Sequence, residues 1–250
     1  MNLIRVSLFA LVLMLVGAFA TINDYCRGVT ATGQKFIIVL PQHTGSDTVV
    51  RHVTGAAQIL QKEGVNVGQF NGSNCLHFHT NYNHTLHWDH QVYVLAANPF
   101  KRMISSFAFD YQSMNISHKP ISEVADLFRT YIRTRTEPPR RSMVSFLQGR
   151  LPDFIVHTHR LQVSMNELFH LWGLPPLKIG ISHCISSCSD NPRHGEFGNG
   201  ADFKHEGSKL PMEVLYKDMG LVNVVRKWYA VDFTAFGFST DPLSSHMLPT

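Results

Sequence analysis

The hydrophobic pattern is a series of short apolar runs, each closed by a turn signal and followed by apolar positions at helical spacing. Lys35-Phe-Ile-Ile-Val-Leu40 is apolar after its first residue, as a strand buried on both faces of a parallel sheet requires. Pro41 ends it and the turn His43-Thr44-Gly45-Ser46 follows. Val49, Val50, Val53, Ala56, Ala57 and Leu60 then recur at helical spacing. Gly64-Val65-Asn66-Val67 predicts a turn into a second short strand. Gln91–Ala96 predicts another buried strand, broken by Asn98-Pro99, with Pro99 suited to the first turn of a helix. Met103, Ile104, Phe107 and Tyr111 give that helix its apolar stripe. Residues 121–134 predict an amphipathic helix ended by Pro138-Pro139. Phe154-Ile155-Val156 predicts a third strand, and a helix over about 161–172 stops at Gly173 with prolines close behind. Residues 178–208 read as loop, and helices over about 211–219 and 221–232 close the chain. Strands alternating with helices predict an α/β fold: a parallel sheet flanked by helices.

Composition refines this picture. The chain has 250 residues, 44% hydrophobic and 16% charged, so it is globular. Residues 1–22 read as a signal peptide or signal anchor, and residues 23–250 as one domain. Arg5 precedes an uncharged apolar run over 6–22 that contains the small-x-small cleavage pattern Ala18-Phe19-Ala20. The body then faces an oxidising lumen, either secreted or held in the Golgi as a type II membrane protein. Sequons at Asn71, Asn83 and Asn115 agree with a glycoprotein. Cys26, Cys75, Cys184 and Cys188 predict two disulfides with three connectivities, among them a local Cys184–Cys188 bridge. Net charge is +4, which suits an anionic ligand. No basic run is interleaved with aromatics, so no nucleic-acid footprint is expected.

The first strand-turn-helix carries the chemistry. A glycine turn feeding a helix N-terminus gathers backbone N–H groups at one spot and adds the helix dipole, which favours a phosphate or sulfate. Ser46 and Thr48 add hydroxyls. The turn lacks the Gly-Lys-Ser/Thr ending of a nucleoside-triphosphate loop, which argues against an ordinary ATPase or GTPase.

The run from Ala97 to Phe107, with Asn98, Pro99, Arg102, Ser105 and Phe107 in order, resembles the sulfotransferase segment Arg-Asp/Asn-Pro-x-x-Arg-x-x-Ser-x-Tyr/Phe. In that family an Arg and a Ser of this segment hold the 3′-phosphate of the sulfate donor PAPS (3′-phosphoadenosine 5′-phosphosulfate). His43-Thr44-Gly45-Ser46-Asp47-Thr48 is similar to the family's 5′-phosphosulfate loop. The segment from Trp228 to Phe238, with Tyr229, Asp232, Phe233, Phe236 and Gly237, resembles its closing Tyr-x-x-Asp-Phe-x-x-Phe-Gly-Tyr, and Leu171–Pro175 matches a common helix end. The resemblance spans about residues 35–239 and is nearest to membrane-bound carbohydrate sulfotransferases, of the kind that sulfate galactose. It implies a P-loop NTPase-like sulfotransferase core, PAPS as co-substrate and a glycan acceptor on a glycoprotein or glycolipid. Membrane contact would come only through residues 1–22. The donor contacts implied are Gln42, His43, Thr44, Gly45, Ser46, Asp47, Thr48, Arg102 and Ser105. His43 and His79 are the implied catalytic residues, with His77 next to His79 as the rival base.

Two departures bear on activity. The loop lysine that offsets charge on the transferring group is replaced by His43, which does the same only when protonated. The 3′-phosphate arginine is replaced by Ala97. Arg193 and Lys204 are the late-loop candidates to restore that charge. Asp47 adds unfavourable negative charge beside the expected sulfate unless it is paired. These departures support a second expectation, a catalytically impaired relative that binds a glycan or another anion. A metal site at His77, His79, His84, His87, His90 and Asp89, or a zinc at the late cysteines, is a weaker alternative; no metal is expected for sulfuryl transfer in the resembled family.

Overall fold

A computed structural model describes residues 24–45, 49, 57, 60–68, 82–176 and 210–244. Residues 1–22, read from the sequence as a signal peptide or signal anchor, lie outside it. Four strands form one sheet in the order β1-β2-β3-β4: β1 (Asp24–Val29), β2 (Lys35–Leu40), β3 (Gln91–Ala96) and β4 (Phe154–His157). β2, β3 and β4 run parallel, with Phe36 opposite Gln91 and Tyr93 opposite Phe154. β1 is antiparallel to β2 and pairs Asp24 with Leu40. The helices are α1 (Pro99–Asp110), α2 (Ile121–Arg133), α3 (Leu161–Leu171), α4 (Met212–Leu215), α5 (Met219–Trp228) and α6 (Ala230–Ala235).

The unbroken apolar runs are explained by burial on both sheet faces. Ile37, Val39, Val92, Val94 and Ala96 point to one core, filled from α1, α2, α5 and α6 by Phe100, Phe107, Phe128, Val225 and Phe233. Phe36, Ile38, Leu40, Tyr93, Leu95 and Val156 point to the other, where Val49, Leu60, Leu161, Met165, Leu168 and Trp172 pack. Alternate residues of each strand therefore serve opposite layers. The fold is α/β, a mostly parallel sheet between helices.

Local chemistry sets the helix ends. Asn98 caps α1: its Oδ1 accepts from Phe100 N–H at 2.9 Å, and Pro99 occupies the first turn. α2 buries Val124, Phe128, Tyr131 and Ile132, one stripe at helical spacing. α3 ends at Gly173, whose φ of +71° lets Leu174 N–H reach Phe169 O at 2.8 Å. Asp218 caps α5 through Gly220 N–H at 2.8 Å.

The structure departs from the sequence expectations in three places. β1 was not predicted. It forms through a tight hairpin in which Thr30 N–H donates to Gln34 O at 2.8 Å and Gly33 takes φ +84°. Residues 64–67, read as a turn into a second short strand, carry no strand, and residues 69–81 lie outside the described ones. Asn66 Oδ1 accepts Gly68 N–H at 2.9 Å, so a side chain takes the donor that a sheet ladder would use. Gly68 itself is wedged against the hairpin; a Cβ there would lie 2.2 Å from Val29 O. Finally, the two closing helices are three, because the chain leaves helical geometry at Tyr216 and again at Tyr229. Among the cysteines, Cys26 is buried on β1 and disulfide-bonded. The other three lie outside the described residues. The sequon residues Asn83 and Asn115 are exposed; Asn71 is outside the described residues.

Candidate anion site at the carboxyl ends of the strands

Because β2 and β3 are adjacent and parallel, the segments that follow them leave the sheet at the same end. That is where ligands gather in open α/β sheets. The segment after β2 is Pro41-Gln42-His43-Thr44-Gly45. Thr44 is 2% exposed and its hydroxyl donates to Pro41 O at 2.5 Å, which closes the turn. His43 sits at φ +60° and Gly45 at +83°. The left-handed region is several-fold enriched in His, though still strained for any side chain. Val49 N–H then reaches Gly45 O at 3.2 Å and begins the helical positions. Ser46, Asp47 and Thr48 lie outside the described residues.

The segment after β3 is Ala97-Asn98 and then α1. Arg102 ties the two segments together. Its Nε donates to Gln42 O at 2.9 Å and its Nη1 to Arg141 O at 2.7 Å. Its side chain is 1% exposed, and Nη1 lies 3.8 Å from Asp232 Oδ2. Burial pulls the Arg102 pKa down from its ordinary value, and Tyr229 and Asp232 oppose that pull. Asp232 is fully buried. It accepts from Ser142 Oγ at 2.7 Å, Met143 N–H at 2.9 Å and Val144 N–H at 3.0 Å. Arg102 therefore braces the loop from below, and the residues that carry two of the sequence motifs meet in one buried pair.

The opposite side of α1 faces outward. Lys101, Ser105 and Phe109 occupy successive turns of it. Ser105 is half-buried, whereas neighbouring Ser106 is fully buried and its hydroxyl donates to Arg102 O at 3.0 Å. The His43 ring stands edge-on to Phe109, with centroids 5.2 Å apart. The loop and Ser105 thus share one flank of α1. Ala97 is 6% exposed and its N–H points to Met143 Sδ at 3.5 Å.

β4 contributes a third wall that the sequence reading missed. Ala96 pairs with His157, so Thr158, His159 and Arg160 emerge at the same end. A Cβ on Gly45 would lie 3.9 Å from Thr158 Cγ2, so the loop after β2 reaches over to the turn after β4. The rings of His157 and His159 are 5.3 Å apart, and both meet Phe238 edge-on. His157 is 4% exposed, and its Nδ1 has no hydrogen-bond partner among the described residues. Burial, then His159 and Arg160, push its pKa down to about 4. His159 is held below its ordinary value by burial, then by Arg160 and Lys101. Lys101 on α1 is thus near enough to the β4 turn for its charge to act there. The signal for these residues was present: Phe154-Ile-Val-His157 is an apolar run whose following residues are His and Arg.

The histidine-rich stretch lies elsewhere. His84 Nδ1 is 3.2 Å from Gln148 Oε1, His87 Nδ1 is 2.8 Å from Asn83 O, and His90 pairs with Asp89 at 2.8 Å. All three precede β3, at the amino end of the parallel strands. Burial, chiefly, holds the His87 pKa down. Among the described residues no group of three or more metal-ligating side chains stands together. His77, His79, Arg193 and Lys204 lie outside the described residues. Among those residues no helix is long and apolar enough to cross a membrane. No protein-family model, curated protein or solved structure matches the chain.

Proposed function

We propose that the protein transfers a sulfuryl group from PAPS to a hydroxyl of a glycan acceptor in the secretory pathway. The observation that supports this reading is the 2.9 Å bond from Arg102 Nε to Gln42 O. It brings the loop after β2 and the flank bearing Ser105 to one place at the carboxyl ends of adjacent parallel strands. In the proposed site, the amides of Gln42, His43, Thr44 and Gly45, with Ser46, Asp47 and Thr48, receive the phosphosulfate, and Ser105 receives the 3′-phosphate. Arg102 holds the loop in shape rather than touching the donor. As the acceptor oxygen bonds to sulfur, its proton passes to a histidine, the sulfur–oxygen bond to the 5′-phosphate breaks, and adenosine 3′,5′-bisphosphate leaves. His79 remains the proposed base and His43 the donor-side cation in mildly acidic surroundings. The reading includes a lumenal site, with membrane contact only through residues 1–22.

A second reading is a catalytically impaired relative that binds an anionic ligand. It is favoured by the His43 ring lying against Phe109, which occupies the side chain that stands where the family has its lysine. Calorimetric titration with adenosine 3′,5′-bisphosphate, followed by labelled-sulfate transfer onto galactose- and hexosamine-bearing glycans, separates the readings. Binding with transfer is expected. Binding without transfer selects the second reading, and no binding at millimolar ligand overturns the first.

A further inference from the structure

We infer that Lys101 and Arg160 supply the positive charge missing at Ala97, and that with Ser105 they form the subsite for the 3′-phosphate of a nucleoside 3′,5′-bisphosphate. The inference rests on the proposed function and assigns residues to it that the resemblance does not.

Lys101 lies one helical turn before Ser105 on the same flank of α1, so their side chains are neighbours, roughly 5–6 Å apart at Cβ. Ala97 precedes the Asn98 cap of α1 and is 6% exposed. An ammonium on Lys101 is therefore well placed to serve an anion held by the Ser105 hydroxyl. Arg160 approaches from the other side: the pairing of Ala96 with His157 brings the β4 turn beside β3, and Gly45 reaches Thr158 at 3.9 Å. Both cations lower the His159 pKa, after burial.

Lys101 and Arg160 are exposed, and neither forms an ion pair among the described residues. Lys62, Lys217 and Lys227 are likewise exposed and form no ion pair among the described residues, so it is the neighbouring Ser105 and the adjoining β4 turn that set Lys101 and Arg160 apart. Beneath them, two buried groups keep unpartnered nitrogens among the described residues, Arg102 Nη2 and His157 Nδ1. Like charges gathered over unsatisfied buried donors oppose folding, and a bound dianion relieves that repulsion.

The test is calorimetric titration of the full chain with adenosine 3′,5′-bisphosphate and with adenosine 5′-monophosphate, which lacks the 3′-phosphate. Wild type, Lys101→Ala, Lys101→Arg, Arg160→Ala and the remote control Lys62→Ala are compared, with a thermal melt confirming that each is folded. A charge-assisted contact predicts that Lys101→Ala weakens bisphosphate binding roughly 10- to 100-fold, with Arg160→Ala in the same direction. Monophosphate binding changes less than about 2-fold, and Lys101→Arg and Lys62→Ala stay near wild type. Equal bisphosphate affinity in wild type and Lys101→Ala overturns the inference while leaving the proposed function standing. So does an equal loss for both nucleotides. A wild-type protein that binds neither nucleotide overturns the inference together with the function on which it rests.

Discussion

Lys101 and Arg102 are neighbours in sequence with opposite fates. Arg102 turns inward and is enclosed, with two backbone carbonyls as acceptors and Asp232 alongside. Lys101 turns outward to a flank shared with Ser105 and faces His159 with no ion-pair partner among the described residues. The inward side is a closed polar network that fixes where the loop after β2 runs. The outward side carries cations that form no ion pair among the described residues. One side serves shape and the other is free to serve a ligand, and a single residue step along the helix separates the two roles.

The largest test strikes the inward side. Asp232→Ala removes the acceptor of three hydrogen bonds and the nearest counter-charge of a buried guanidinium. Breaking such a pair costs about 3–5 kcal/mol. Urea denaturation is expected to show a loss of that size, whereas Lys101→Ala is expected to stay within about 0.5 kcal/mol of wild type. Similar losses from both variants would erase the distinction between the sides.

The next test concerns acid. His157 titrates near pH 6.5 in the unfolded chain and near 4 in the folded one. As pH falls, the unfolded chain therefore takes up the proton first. Stability is full above about pH 6.5, declines through the interval and levels off below about 4. The loss is roughly 2 kcal/mol once solvent screening is allowed for. In His157→Gln the decline between pH 6.5 and 4 is expected to be shallower than in wild type. Parallel curves would mean that the floor of the cation cluster is more open to water than its burial implies.

The smallest effect concerns the hinge between the sides. Asn98→Ala removes the cap that starts α1 and is expected to cost about 1 kcal/mol in thermal or urea unfolding. Since both residues ride on this helix, weaker nucleotide binding should accompany the loss.

The sequence displayed the framework well and the site only in part. Residues 35–40, 91–96 and 154–156 were legible because a strand buried on both faces must be apolar throughout. β1 was not, because Asp24-Tyr-Cys-Arg-Gly-Val29 has a polar edge and draws its order from the Thr30–Gln34 hairpin. No strand forms at residues 64–67, where one asparagine side chain takes the donor that a ladder would use. At the site, Gln42–Gly45 and Ser105 could be found from their motifs. Arg160, His157 and His159 were visible as polar residues closing an apolar run, but their place beside Gly45 depends on which strands are neighbours. Arg102 carries its motif but not a surface role, and spacing alone does not distinguish an inward arginine from an outward one.

The reversed direction of β1 has a consequence for large acceptors. Asp24 is paired with Leu40, so the polypeptide joins the sheet at the very end where the three loops converge. Residue 24 therefore enters at the carboxyl ends of the parallel strands and not at their amino ends. On the proposed function, a bulky group fused directly before Asp24 is expected to hinder the acceptor.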